Sequence, residues 1–281
     1  MTASTTQFTL STMNTDQQDI KREIREKYGR IVSDGGCGCG SGSCCGSDNI
    51  PGGVSSMMVD TYDTLAGHEP DADLSLGCGI PARFAAFAPG ETVVDLGSGA
   101  GNDAFVARHA VGEDGEVIGL DMTEEMVARA GEIAVRKGYI NVRFELGDIE
   151  DMPLSDAIAD IVISNCTLNL VPDKARAFAE MRRITRPGGR FCISDIVTEG
   201  RLPESVRSSI EAYVGCVAGA VEREEYLQLL RDAGFEDVNV QSENDVPIPD
   251  ELRQALSQDA HRQNLHRIPR ILSVTVTGTR P

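Results

Sequence analysis

An α/β fold built on a mostly parallel, seven-stranded sheet is predicted by three observations. From Thr92 onward, short β-branched runs alternate with amphipathic helical segments. The first run, Thr92–Leu96, stops at Gly97, Gly99 and Gly101, and a helical segment follows at once. The last run, ILSVTVTGT, is richly β-branched and is expected to pair antiparallel with its neighbours, as edge strands of mixed sheets often do. Strands alternating with helices of this length imply βαβ units, with helices on both faces of the sheet.

Taken in order, residues 1–15 are polar and rich in Thr and Ser, which predicts disorder. Asp16–Val32 carries Ile20, Ile24, Tyr28 and Ile31 at three- and four-residue spacing, the pattern of an amphipathic helix that packs on the main domain. Gly35–Ser47 sets Cys37, Cys39, Cys44 and Cys45 in a flexible Gly/Ser background. Short helices are expected at Met57–Leu65 and Pro81–Phe87, with Cys78 between Gly77 and Gly79 in the connection.

The alternation then supplies strands at Thr92–Leu96, Val117–Leu120, Val142–Leu146, Asp160–Ser164 and Arg190–Val197. Helices are expected at Ala104–Val111, Glu124–Lys137 and Lys174–Thr185. The second has Thr123 as N-cap and Gly138 past its end; the third stops at Pro187-Gly188-Gly189. Beyond Pro203 come a helix with Val206, Ile210 and Val214 on one face, then YVGCVAGA with Cys216, and a helix Glu222–Ala233. A strand Glu236–Gln241, a helix Glu251–Gln263 and the strand Arg270–Thr277 complete the chain. The domain reading is a disordered lead (1–15), an N-terminal helix, Cys-rich loop and cap (16–88), a cofactor-binding core (89–200) and a substrate-side part (201–281).

A net charge of -18 and a pI near 4.6 argue against nucleic acid and anionic membrane as partners, since both demand a basic surface. No apolar run is long enough for a membrane span, and the N-terminus lacks the basic and apolar regions of a signal peptide. A cytoplasmic, monomeric protein is expected. In a reducing compartment, eight cysteines point to metal or redox chemistry more than to a disulfide framework.

The glycine stretch TVVDLGSGAGND reads G-x-G-x-G, not the dinucleotide fingerprint G-x-G-x-x-G. Asp121 ends the second strand, about 20 residues past the last glycine, where an acid meets ribose hydroxyls in such folds. Asp148 follows the third strand at the same sheet edge. Cys78, Cys166 and Cys216 precede the first strand, end the fourth and follow the fifth; together they favour a soft, thiophilic centre. Cys192, mid-strand, reads as a small core residue.

Asp95, Gly97, Gly99, Gly101, Asp121 and Asp148 resemble the site of Rossmann-like class I methyltransferases that use S-adenosylmethionine (SAM). The resemblance implies that the glycines admit the methionine portion, that Asp121 takes the ribose and that Asp148 takes the adenine amine. It adds Ser98, Met122, Ile149 and Asn165 to the cofactor set.

More narrowly, LGCGIP, DLGSGAGND, LDMTEEM, ISNCTLNLVPDK, SDIV and YVGCVAGA are similar, in order, to the motifs of arsenite methyltransferases. That likeness implies As(III) held as a trithiolate by Cys78, Cys166 and Cys216. It also implies a disulfide between Cys78 and an N-terminal cysteine, one of Cys37, Cys39, Cys44 and Cys45, with the Cys44-Cys45 pair nearest to the family pattern. Thioredoxin or glutathione would then be the reductant, and arsenite or its thiol conjugates the substrate. Two other readings stand beside it: a small-molecule C- or O-methyltransferase, and a non-catalytic thiol protein that sequesters a metalloid.

Overall fold

A computed structural model describes residues 4–33, 61–200, 219–246 and 269–281, with isolated positions between them; for residues 4–16 it describes the backbone only. Seven strands form one sheet in the order β3-β2-β1-β4-β5-β7-β6. The strands are β1 (Thr92–Leu96), β2 (Glu116–Asp121), β3 (Val142–Leu146), β4 (Ala159–Asn165), β5 (Thr185–Glu199), β6 (Glu236–Asp245) and β7 (Arg270–Thr279). The described helices of a turn or more are α1 (Ser4–Ser33), α2 (Asn102–Val111), α3 (Glu124–Lys137), α4 (Lys174–Ile184) and α5 (Arg223–Asp232).

β1 through β5 run parallel, and β1 is central, paired to β2 on one side and β4 on the other. The chain therefore reverses its direction of sheet growth beside β1, and the carboxyl ends of β1 and β4 open a crevice there. Both faces of the sheet are covered. Phe178, Met181, Tyr226 and Leu230 of α4 and α5 fill one side; Phe105, Met126 and Ile133 of α2 and α3 fill the other. Central strands buried on both faces carry unbroken apolar runs, as Ile161-Val162-Ile163 does in β4.

Several expectations shift. α1 begins at Ser4, well before Asp16, because no Pro or Gly interrupts the sequence from Ser4 to Tyr28 and nothing there breaks a helix. Within the expected helix Met57–Leu65, the described part from 61 forms turns, and Pro81–Arg83 is a single 3-10 turn. Thr123 stands at the N-cap of α3 without a side-chain capping bond. β5 begins at Thr185, before the Pro-Gly-Gly; its register against β4 shifts between Ala159 and Ile161, and Gly188 takes φ 77° there. β7 is antiparallel as expected but is not an edge: it lies between β5 and β6, and seven of its ten residues are buried. The edge on that side is β6, and β3 forms the other. The helices expected after Pro203 and at Glu251–Gln263 lie outside the described residues, apart from isolated positions.

Candidate active site

β1 ends at Leu96, and the chain must turn sharply to enter α2. Gly97, Gly99 and Gly101 all adopt positive φ, at 71°, 52° and 98°. Gly97 has a second constraint: a Cβ there would collide with the side chain of Thr167, in the turn after β4. The loop is thus pressed against the β4 end, and only glycine fits.

The crevice above this loop is lined by Asp95, Gly97, Ser98, Gly99, Asp121, Met122, Asp148, Ile149 and Asn165, together with Cys166. Nine of the ten cofactor residues expected from sequence therefore share one cleft. Gly101 does not line it. It precedes α2, where a Cβ would press on the rings of Phe105 and Phe144, so it serves the turn and the packing.

Asp121 spans the loop. One carboxylate oxygen accepts the Gly99 N–H at 2.9 Å and the other the Thr123 N–H at 2.8 Å. Burial raises its pKa, and those two N–H groups oppose the rise. Asp95 is fully buried, and its Oδ2 has no hydrogen-bond partner among the described residues. Burial, then Asp103 and Asp121, push it well above the usual carboxylate range. Asp103 sits beside it, raised to about 6 by burial against the hydrogen bonds of Asn165 and Tyr62. Two buried acids, a half-buried one and an unpaired carboxylate oxygen make a cradle of negative charge that suits a cationic group. A sulfonium and an ammonium fit that cradle, and the glycine backbone gives them close approach.

Asn165, the last residue of β4, connects this cleft to the cysteines. Its Nδ2 donates to Gly79 O at 2.8 Å, to Tyr62 Oη at 2.8 Å and to Asp103 Oδ2 at 3.0 Å. Its Oδ1 accepts the Cys78 N–H at 3.1 Å. The Cys78 carbonyl in turn accepts Ser273 Oγ–H from β7 at 2.5 Å. A Cβ on Gly79 would stand 2.7 Å from Ser194 Oγ, so the glycine lets this turn lie flat on β5.

Cys166 follows directly. It holds φ 57°, an uncommon conformation for a residue with a Cβ, and its N–H donates to Ser194 O at 2.8 Å. Cys78 and Cys166 are both buried and brought together: their sulfurs and a carboxylate oxygen of Asp195 lie within 4.8 Å of one another. Asp195 is buried on β5. Its Oδ2 accepts Tyr226 Oη–H at 2.8 Å, and burial raises it to about 7 despite that bond and the charge of Lys174. Cys192 is separate: its thiol donates to Pro81 O at 3.2 Å, and burial pushes it up to about 12. Cys216, Cys44 and Cys45 lie outside the described residues, as do Cys37 and Cys39.

A family profile described as a methyltransferase domain matches residues 87–234. An arsenic(III) S-adenosylmethionine methyltransferase from Chlamydomonas reinhardtii, solved by X-ray crystallography, superposes with a TM-score of 0.63 at 36% identity, covering 73% of this chain and 67% of that one. The chain belongs to this methyltransferase family. Arsenite methyltransferases from Halobacterium salinarum and Aquipseudomonas alcaligenes are 42% and 31% identical over 80% and 82% of the chain. The chain spans 59% and 66% of the length of those two relatives.

Some residues of this methyltransferase site escaped the sequence reading. Lys21 of α1 lines the cleft, beside Ile24 and Tyr28, which the helical stripe marks only as packing residues. Ile20, expected in the inward stripe, is 45% exposed instead. The helix is rotated so that Lys21 meets two carboxylates, a charge pairing that hydrophobic periodicity does not register. Asp103 and Asp195 lay inside recognised motifs, DLGSGAGND and SDIV, without a role. Tyr62 carried no signal at all.

Proposed function

We propose that this protein methylates trivalent arsenic with SAM, with the metalloid held by protein thiolates. The observation that carries the proposal is the convergence of two buried thiols, Cys78 and Cys166, within 4.8 Å, with Cys166 lining the glycine-loop cleft. Soft sulfur donors select a thiophilic centre over the oxygen, nitrogen or carbon acceptors of most related enzymes. Cys216 supplies the third thiolate in this reading. Support comes from Val217, buried in the same segment, and from Gly219, which packs directly on the Asn169 carbonyl in the turn after Cys166.

When bound, SAM supplies an electrophilic methyl on a sulfonium. Gly97 and Gly99 admit its methionine portion, Asp95 offers an unsatisfied acceptor, Asp121 takes the ribose and Asp148 the adenine amine. The chain's part is alignment. Arsenic carries a lone pair, so its attack on the methyl needs no general base. The As–C bond forms as the C–S bond breaks, the donor leaves as neutral S-adenosylhomocysteine, and arsenic is formally oxidised from III to V. Two protein thiolates then give up two electrons as a disulfide, returning arsenic to III; Cys78 and either Cys44 or Cys45 are the proposed pair. An external dithiol or thiol, of the thioredoxin or glutathione class, reduces that disulfide. This cycle suits the reducing cytoplasm.

Incubation with SAM, arsenite and a thiol reductant, followed by arsenic speciation, tests the proposal. Methylated arsenic is expected, and its loss on replacing Cys78 or Cys166 by Ser. Methylation of a non-metalloid acceptor that survives both substitutions, with no arsenite binding, would sink it.

A further inference from the structure

The N-terminal helix reaches the cofactor cleft through one charged side chain. Lys21 Nζ lies 2.7 Å from Asp148 Oδ2 and 2.5 Å from Glu150 Oε2. Lys21, Ile24 and Tyr28 occupy one face of α1 at three- and four-residue spacing, and all three line the same cleft as Asp148, Ile149 and Met122. α1 packs on α3 through Gly29, where a Cβ would stand 3.1 Å from Glu125 Oε2.

A surface ion pair would mean little here, since exposed pairs contribute almost nothing. Lys21 is not such a pair. Its side chain is 16% exposed and that of Glu150 7%. Glu150 is itself anchored, its Oε1 accepting the Asp173 N–H at 2.9 Å. Burial pulls the Lys21 ammonium down, but the two carboxylates outweigh it and hold it above its ordinary range. Asp148 is held on both oxygens: Lys21 on Oδ2, and the Glu150 N–H on Oδ1 at 2.9 Å. Without Lys21, two acids would face each other across a short turn. Asp148, whose side chain is 41% exposed, would then be free to swing to water.

We propose that Lys21 is a positioning residue for cofactor recognition: from α1 it fixes the Asp148 carboxylate so that it accepts the exocyclic amine of an adenine base and rejects a base bearing a carbonyl there. This rests on the cleft being the SAM site. A fixed carboxylate pairs with an amine donor but opposes a carbonyl acceptor. The ratio of affinities for the two bases therefore reports on Lys21 more directly than either affinity alone.

The test is calorimetric titration of the full chain with S-adenosylhomocysteine and with its inosine counterpart, for wild type, Lys21→Met and Lys21→Arg. The expected result is about tenfold weaker binding of the adenosyl compound to Lys21→Met, a narrowed preference over the inosyl compound, and recovery of both in Lys21→Arg. In steady state, KM for SAM should rise in Lys21→Met while kcat holds. An unchanged preference in Lys21→Met would overturn the proposal, as would a loss of kcat with KM intact. If wild type binds neither compound, the cofactor reading itself falls, and this one with it.

Discussion

Asn165 Oδ1 accepts the backbone N–H of Cys78 at 3.1 Å, although the two residues are 87 positions apart. One side chain at the end of β4 thus ties the turn that carries the first thiol to the strand that leads into the second. Its amide also donates to Gly79 O, Tyr62 Oη and Asp103 Oδ2. Replacing Asn165 by Ala would remove all of these bonds from a part-buried place, leaving Tyr62 Oη–H alone to reach Asp103 and Gly79 O. The expected destabilisation is about 2–3 kcal/mol by chemical denaturation. Arsenite affinity should fall as well, since the Cys78 turn loses its tether. Unaltered stability and arsenite binding would show that the tether is idle.

Gly219 packs on the backbone carbonyl of Asn169, and a Cβ at that position would overlap it. Backbone cannot yield as a flexible side chain can. Gly219→Ala should therefore cost about 1–3 kcal/mol and displace the segment YVGCVAGA from the turn that follows Cys166. Calorimetry should find arsenite binding weakened at least several-fold, with S-adenosylhomocysteine binding retained because the glycine loop is untouched. Equal loss of both ligands would indicate general unfolding and contradict the selective effect.

Asp103 gives stability a distinct pH dependence. Burial raises it to about 6, whereas an unfolded aspartate titrates near 3.9. Between roughly pH 4 and 6 the folded chain binds a proton that the unfolded chain has lost. Stability from this group is therefore highest below that window, declines as pH rises through it, and is level above about 6. The amplitude is on the order of 3 kcal/mol. Denaturant midpoints of wild type and Asp103→Asn between pH 4 and 8 should separate in favour of the variant as pH rises. Parallel curves across that range would refute it.

Cys192 separates thiols by location. It lies on β5 with its thiol donating to Pro81 O, fully buried and held protonated, with a pKa of about 12. Thiolates, not thiols, bind soft metalloids. Cys192→Ala should lower stability by about 1 kcal/mol and leave arsenite stoichiometry and affinity unchanged. Cys78→Ser or Cys166→Ser should abolish binding. A Cys192→Ala variant that loses arsenite would relocate the thiol site.

Local chemistry made much of this fold legible. Gly97 and Gly99 announced a tight turn because positive φ is cheap only for glycine, and both turns have it. Asp121 and Asp148 were legible because acids at successive strand ends must meet at one sheet edge once the strands are parallel. Cys78 and Cys166 were legible from their positions around the strands as candidates to converge at one sheet edge, and motif likeness implied their shared ligand role.

The sequence by itself determined the strand–helix alternation, the glycine loop and the cleft that follows from them. These depend on period and turn chemistry within a few residues. Only the tertiary structure decided that β7 enters between β5 and β6, that α1 turns Lys21 inward in place of Ile20, and that Asp195 joins the two thiols. Each of these is settled by groups far apart in the chain: a second strand to pair with, two carboxylates to neutralise, a buried oxygen left without a partner. Hydrophobic pattern registers none of them. The glycine loop could be read from twelve residues, whereas the thiol pair that faces it exists only once the sheet has closed around both.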